Sequence, residues 1–134
     1  MKNLPGTWDA NLKLVYAVDQ GAFFAIDTVG VGKAFDVIAN LEIGDDLMAV
    51  ASKYDVYVAV RNLSQSTTVL SKHDTVILTP AHTDFNQEHR VSFPTSWTGG
   101  NDGDVLEVVA GFKVTAGVHT DYSLSTSNPF MVAA

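Results

Sequence analysis

The clearest pattern in the chain is the run Phe35-Asp36-Val37-Ile38-Ala39-Asn40-Leu41-Glu42-Ile43. Apolar side chains occupy every second position of this run, and polar or charged side chains occupy most of the positions between them. Successive side chains of a β-strand point to opposite faces, so a period of two indicates a strand with one buried face. Gly44-Asp45-Asp46 follows as a turn signal, which predicts that the strand ends there.

The same signal recurs along the chain. Leu12, Leu14, Tyr16 and Val18 predict one apolar face of a strand, and Val56, Val58 and Val60 predict another. Further strands are expected at residues 22–28, 67–71, 75–79, 90–93, 122–125 and 130–132. Residues 105–114 are apolar on both faces, which is typical of a central strand covered on each side. Abundant valine and threonine, with glutamate only at Glu42, Glu88 and Glu107, favours sheet over helix.

One segment has helical spacing. Residues 46–54 place Leu47, Val50, Ala51 and Tyr54 at offsets of 3, 4 and 7, which predicts about two helical turns. A helix this short is marginal alone, so we expect a crossover between two sheets. The sequence therefore predicts an all-β fold: a single domain over residues 1–134, an antiparallel β-sandwich of jelly-roll or immunoglobulin-like type with at most one short helix.

Composition limits the function. Eight basic and fifteen acidic residues give a formal charge of −7, which argues against a broad nucleic-acid interface. The chain has no cysteine, and it has no apolar run of the length that a signal peptide or a membrane-spanning helix requires. Only 17% of residues are charged while 46% are hydrophobic, so we expect apolar surface to remain exposed once the core is filled. A water-soluble protein with a protein, glycan or small-molecule partner is expected.

Both ends of the chain carry apolar residues. Residues 1–10 include Leu4 and Trp8, and this segment is expected to be an extended arm on a neighbouring surface or a strap across its own barrel end. Residues 127–134 form an apolar C-terminal segment with Phe130, Met131 and Val132. Isolated domains usually end in polar residues, so this segment is expected to be buried.

Several sequence patterns are weak evidence for a metal-binding or sugar-binding site. His82 and His89 flank two carboxylates, but their spacing matches no zinc template, and a solvated loop is expected instead. The loop at residues 98–104 is rich in oxygen ligands and glycine, yet it lacks the register of a calcium loop, and Asn101-Asp102-Gly103 is more typical of a tight turn. We therefore expect no metal site, no cofactor and no catalytic residue. Four aromatic residues could form a sugar-stacking platform, although such residues more often belong to a core or an interface: Trp8, Trp97, Tyr57 and Tyr122.

In these features the chain resembles the decoration or cement proteins of tailed-phage heads. The resemblance rests on an acidic, cysteine-free β domain, on the segment with Leu4, Pro5, Gly6 and Trp8, and on the apolar end at Phe130, Met131 and Val132. It implies a non-enzymatic subunit that binds the major capsid protein and itself, as a homo-oligomer such as a trimer. It would be made in the host cytoplasm and act at the capsid surface of the virion, without contact to nucleic acid or membrane.

The resemblance also implies roles for the two ends. Leu4 and Trp8 would face the shell, and Phe130, Met131 and Val132 would lie at a subunit boundary. Two alternatives stay open: a carbohydrate- or calcium-dependent ligand-binding β-sandwich module that uses the aromatic residues and the loop from Asn101 to Asp104, and a tail-tube or head-completion subunit.

Overall fold

The computed structural model describes residues 10–134, and these form two β-sheets packed face to face. The fold is an all-β sandwich with one four-residue helix in the described part, as the sequence predicts. In chain order the elements are β1 (Ala10–Asp19), β2 (Thr28–Gly30), β3 (Phe35–Ile43), α1 (Asp45–Met48), β4 (Lys53–Asn62), β5 (Thr67–Ile77), β6 (Phe85–Phe93), β7 (Val105–Ala116), β8 (His119–Thr126) and β9 (Phe130–Ala133).

The two sheets differ in size. The three-stranded sheet has the order β1-β3-β6, and the six-stranded sheet has the order β2-β9-β7-β4-β5 with β8 also paired to β7. Neighbouring strands are antiparallel except β2 and β9, which pair in parallel. Strand β7 is therefore central: β4 lies along one of its edges, and β8 and β9 share the other.

The core lies between the sheets and is closed at one end by aromatic rings. The ring centroid of Phe35 lies 5.3 Å from that of Phe93, 6.0 Å from that of Trp97 and 6.1 Å from that of Phe130. Phe35 comes from the three-stranded sheet and Phe130 from the six-stranded one, so these contacts tie the sheets together. Aromatic pairs at such distances add to the stabilisation from buried area.

A β-bulge reverses the predicted faces of β1. Leu12 pairs with Leu41 and Leu14 pairs with Asn40, so Lys13 is an extra residue between them. One extra residue moves every later side chain to the other face. The prediction of a single face through Leu14 is therefore wrong: Leu14 is exposed, and Val15 becomes buried in its place.

Other predicted boundaries also change. Residues 22–27 form a loop with one isolated bridge between Ala25 and Val18, so only Thr28 of the predicted strand lies in β2. The two short strands predicted at 67–71 and 75–79 are one long strand, β5. The loop expected from His82 to His89 is half wrong, because β6 begins at Phe85.

The predicted crossover between the sheets is confirmed, although its helix is shorter than expected. Helix α1 spans Asp45–Met48 and joins β3 of the three-stranded sheet to β4 of the six-stranded sheet. It cannot continue to residue 54, because β4 already begins at Lys53 and pairs there with β5 and β7. In the described part of the chain, no helix has both the length and the apolar character needed to cross a membrane.

The C-terminal segment is only partly buried: Phe130 and Val132 lie in the core, whereas Asn128, Pro129, Met131 and Ala134 are exposed. Strand β9 pairs with β2 and β7, and the side chains of Phe130 and Val132 are 3% and 0% exposed within the chain's own core. The assignment of these two residues to a subunit boundary is therefore corrected. Only Met131 of the three predicted interface residues at this end reaches the surface.

Candidate functional site

Within residues 10–134, no element covers the centre of the outer face of the six-stranded sheet. Ala110 and Phe112 of β7 belong to the core, so Val109, Gly111 and Lys113 point the other way. The expectation that β7 is covered on both faces is wrong for this outer face, since Val109 is exposed. An apolar strand surface that no other described element covers is a candidate interaction surface.

The strand register sets the shape of this surface. Gly111 lies opposite Tyr57 on β4 and opposite Leu124 on β8. Because glycine has no side chain, a groove of about 630 Å³ opens between those two residues. A Cβ atom placed on Gly111 would lie 3.3 Å from Leu124 Cδ2 and 3.9 Å from Tyr57 Cβ, so the floor of the groove depends on glycine. We call this feature the sheet groove.

Aromatic and aliphatic side chains form the walls of the sheet groove. On one side the Tyr57 ring stacks on His73, with ring centroids 4.2 Å apart and an interplanar angle of 13°. On the other side Tyr122 and Leu124 are 59% and 79% exposed, although both contribute to the lining. Tyr57 is 42% exposed. Large apolar side chains at this exposure offer area that a ligand or partner can bury.

A buried carboxylate holds one wall in place. Asp55 accepts a hydrogen bond from Thr75 Oγ1 at 2.6 Å, and its Oδ1 lies 2.8 Å from His73 Nε2. Burial alone raises the pKa of Asp55, but the hydrogen bonds from Thr75 and His73, with Lys53 and Lys113 nearby, lower it below its ordinary value. The anchored His73 in turn fixes the Tyr57 ring that stacks on it.

The geometry around Asp55 differs from a catalytic triad. In a triad the histidine uses one ring nitrogen for the carboxylate and the other for the nucleophile. Here Thr75 Oγ1 lies 3.4 Å from His73 Nε2, the same nitrogen that contacts Asp55. This arrangement positions rings and does not form a proton relay to the hydroxyl.

A second histidine links the two sheets. His89 Nε2 lies 2.9 Å from Asp74 Oδ2, and His89 Nδ1 lies 3.2 Å from the Tyr54 hydroxyl. Tyr54 is buried, and burial together with the Asp74 charge raises the pKa of its phenol. A buried phenol with a raised pKa is a poor nucleophile, so we interpret this cluster as a structural tie between β6 and strands β4 and β5.

His82 lies apart from His89, at the start of α1. Its Nδ1 is 3.5 Å from Asp45 Oδ2 and its Nε2 is 3.2 Å from Asp46 Oδ1. Among residues 10–134 these three side chains are the one group of potential metal ligands that come together, with ligand atoms within 4.8 Å of one another. The side chains of His82 and Asp46 are exposed, and exposed acidic groups are common at protein surfaces without a bound ion.

Within the loop at residues 98–104, Asn101-Asp102-Gly103 forms the tight turn that the sequence predicts. Asp104 N–H donates to Asn101 O at 2.9 Å, and Gly103 adopts a φ of 88°, which favours glycine. Asp104 Oδ2 accepts hydrogen bonds from Asn101 N–H, Asn62 Nδ2 and Gln65 Nε2, which lower the pKa of Asp104. These contacts tie the turn to Asn62 at the end of β4 and to Gln65 in the turn that follows β4.

The structure brings together some predicted site residues and separates others. Tyr57 and Tyr122 line the same groove, whereas Trp97 is buried and donates its Nε1–H to Lys33 O at 2.7 Å. Leu4 and Trp8 lie outside the described residues, so the prediction for the N-terminal arm stays a prediction. The sequence analysis did not predict the sheet groove. The apolar residues on both faces of residues 105–114 were the pattern that could have indicated an exposed apolar surface there.

A comparison of the sequence with protein-family models gives no match, and neither does a comparison with curated proteins.

Proposed function

We propose that the chain is a non-enzymatic structural subunit of a virion, a decoration or cement protein that binds and stabilises an assembled phage head. The observation that supports this proposal is the sheet groove. The sandwich completes its core without Tyr57, Tyr122 and Leu124, yet it presents these large side chains side by side on the outer face. Exposed apolar patches of this kind mark interaction surfaces.

The mechanism would be the burial of apolar and aromatic surface, without covalent chemistry. A buried aromatic side chain removes roughly 150–250 Å² from water, and aromatic residues are enriched at the centres of protein interfaces. The partners would be the major capsid protein and other copies of the chain. A decorated shell holds many copies, so contacts that are individually weak add up through multivalency.

Leu4 and Trp8 remain the residues proposed to face the shell. Deleting residues 1–9 then abolishes binding to phage heads while the melting temperature stays nearly unchanged. A large drop in melting temperature would instead identify the segment as part of the fold. Binding is measured by sedimenting the protein with assembled heads, and stability by thermal unfolding of the purified protein.

The role of the sheet groove is tested in the same sedimentation assay. Leu124→Asp places a charge at an exposed wall of the groove and is expected to weaken binding to heads without unfolding the protein. Val118→Asp is the matched control, because Val118 is also exposed and apolar but lies at the tip of the β7–β8 turn. Equal binding by both variants and the wild type would remove the groove from the proposal.

Carbohydrate binding is a second candidate, favoured by one observation. Tyr57 and Tyr122 line one groove together with Ser71, His73 and Lys113, which gives ring faces for stacking and polar groups for hydroxyls. A glycan array followed by calorimetric titration tests this candidate. Binding that Tyr122→Ala abolishes would favour it over the virion subunit, and an array without signal would leave it unsupported.

A further inference from the structure

Strand β8 has an unpaired edge. It pairs with β7 along one side, and within residues 10–134 no strand pairs with its other side. An unpaired strand edge presents a row of backbone N–H and C=O groups to which another strand can bind. We call the unpaired side of β8 the β8 edge.

The hydrogen bonds to β7 determine which residues face the β8 edge. Ser127 N–H donates to Val108 O at 2.9 Å, so odd-numbered residues here turn their backbone groups towards β7. Along an antiparallel pair, opposed residues alternate between exchanging two hydrogen bonds and exchanging none. The register with β7 has no shift, so the backbone groups of four even-numbered residues face the β8 edge: Thr120, Tyr122, Leu124 and Thr126.

The inner side chains of β8 fix the strand to β1. Ala10 N–H donates to Asp121 Oδ2 at 2.8 Å, and Leu12 N–H donates to Ser123 Oγ at 2.9 Å. At the β8 edge, Tyr122 N–H donates to Asp121 Oδ1 at 3.1 Å, an exposed contact between adjacent residues that a second strand would replace. A strand held in place by its neighbours loses little conformational freedom when it binds a partner.

The β8 edge lacks the features that protect another edge of the same sheet. On β5, the charged side chains of Lys72 and Asp74 point towards the three-stranded sheet, where they contact Ser92 O and His89. Inward-pointing charges on an edge strand oppose the addition of a further strand. Strand β8 contains neither lysine nor proline, and its pairing with β7 has no bulge. It is therefore suited to strand addition.

We propose that the β8 edge pairs with the β8 edge of a second copy, in antiparallel orientation and about a two-fold axis at Ser123. This axis places Tyr122 opposite Leu124 of the second copy and Thr120 opposite Thr126, and each pair occurs twice. An aromatic ring beside an aliphatic side chain buries apolar area, and opposed threonines hydrogen-bond across strands. The order of side chains along β8 is thus complementary to itself, which is why a second copy is the occupant.

The backbone supports the same register. Every edge-facing residue of one copy meets an edge-facing residue of the other, so each opposed pair exchanges two hydrogen bonds. On the inner face, Asp121 lies opposite Ser125 of the second copy, so no like charges are opposed. The two six-stranded sheets become one continuous sheet. Because the same surface is used on both sides, the contact closes at a dimer.

This contact deepens the proposed function, because it rests on the association of the chain with other copies and assigns that association to one strand. The second copy is added beside β8, so the sheet groove stays open towards a shell. Each copy contributes two large apolar side chains, Tyr122 and Leu124, which is less than a standard interface contains. We therefore expect a concentration-dependent dimer that becomes stronger where a shell gathers many copies.

The register is tested by cross-linking, because the chain contains no cysteine. Thr120→Cys and Thr126→Cys are mixed and treated with a short bismaleimide reagent, since opposed Cβ atoms about 5 Å apart are too distant for an unstrained disulfide. The mixture is expected to form covalent dimers. Each variant alone is expected to form none, because its two cysteines would lie six residues apart along the paired strands, roughly 20 Å.

Sedimentation velocity over a range of concentrations tests the role of the side chains. The wild type is expected to show a monomer–dimer equilibrium. Leu124→Asp places a carboxylate opposite an aromatic ring and is expected to weaken dimerisation roughly tenfold or more. Ile77→Asp is the matched control: Ile77 is 78% exposed and Leu124 79%, but Ile77 lies on β5 at the opposite edge of the sheet. This control is expected to dimerise like the wild type.

Several outcomes would overturn the inference. A wild type that stays monomeric at every concentration would do so, as would cross-linking of one cysteine variant alone or an unreactive mixture. Thermal unfolding checks that Leu124→Asp is folded, and the cysteine mixture decides by itself if it is not. Binding to phage heads is measured separately. Heads bound without dimerisation would remove this inference alone, and dimerisation without head binding would remove the shell partner alone.

Discussion

Gly111 determines the depth of the sheet groove, because its neighbours across both strands carry large side chains. Gly111→Ala is expected to leave the melting temperature within a few degrees of the wild type, since glycine is unfavourable inside a strand and the exposed Leu124 side chain can move. The added methyl group fills the groove floor, so we expect weaker binding to phage heads in the sedimentation assay. A variant that unfolds would show that the floor cannot accommodate a methyl group.

Phe130 and Met131 are neighbours in β9 with opposite environments, which allows a matched comparison. Phe130→Ala opens a cavity next to the Phe35 ring and is expected to lower the free energy of unfolding by about 3–5 kcal/mol. Met131→Ala removes an exposed side chain and is expected to change it by less than about 0.5 kcal/mol. Urea unfolding measures both values. Equal effects would contradict the placement of Phe130 in the core.

In strand β1, one inserted residue determines which side chains of the strand face the core. Deleting Lys13 removes the bulge and shifts residues 10–12 by one position, which turns Leu12 away from the core. The expected loss is about 2 kcal/mol or more, comparable to the loss of a buried leucine. Lys13→Ala keeps the register and breaks only the exposed 2.9 Å ion pair with Glu42, so it is expected to cost at most about 1 kcal/mol.

The result for Lys13 is read from urea unfolding of both variants. A deletion as stable as Lys13→Ala would mean that the strand tolerates either register. The bulge also explains why the prediction for the faces of β1 is wrong. Leu12 and Leu14 lie on the same face only in a regular strand, and the bulge at Lys13 breaks that regularity.

At residues 22–27, contacts with residues far away in the sequence override the local sequence pattern. Their apolar run favours a strand, but Arg90 and Asp36 hold Gly21 and Ala22 in a loop over the outer face of the three-stranded sheet. Both partners are distant in sequence, so their effect on the loop is absent from any local pattern. The same holds for Phe85, whose strand pairing with Ile43 extends β6 into the segment predicted as a loop.

At the scale of the whole molecule, the acidic side chains make stability depend on pH. The pKa of Asp36 is lowered: burial acts to raise it, but the hydrogen bond from Gly21 and the contacts with Arg90 and Ser92 outweigh burial. The pKa of Asp55 is lowered as well. A lowered folded-state pKa means that the unfolded chain binds more protons, so this stabilisation is present above the unfolded pKa and is lost as pH falls through the folded pKa.

We therefore expect the melting temperature to fall as the pH drops below about 4, the ordinary pKa of an aspartate. Asp55→Asn removes one of the responsible groups and is expected to lose less stability than the wild type between about pH 4 and pH 2. Asp84→Asn, a change at an exposed loop position, is the control and should follow the wild-type pH dependence. Identical slopes for all three proteins would contradict the role of Asp55.

The sequence alone determined the fold class, the crossover and most strands. Alternation over Phe35–Ile43, Val56 to Val60 and β9 reflects a local rule, since successive side chains of a strand face opposite ways. Only the tertiary structure decided the rest: that Phe130 fills the core, that the bulge at Lys13 turns Leu14 outward, and that Gly111 opens a groove between Tyr57 and Leu124. These features depend on which strands become neighbours and in what register, and pairing between residues far apart in the chain leaves no periodic trace in the sequence.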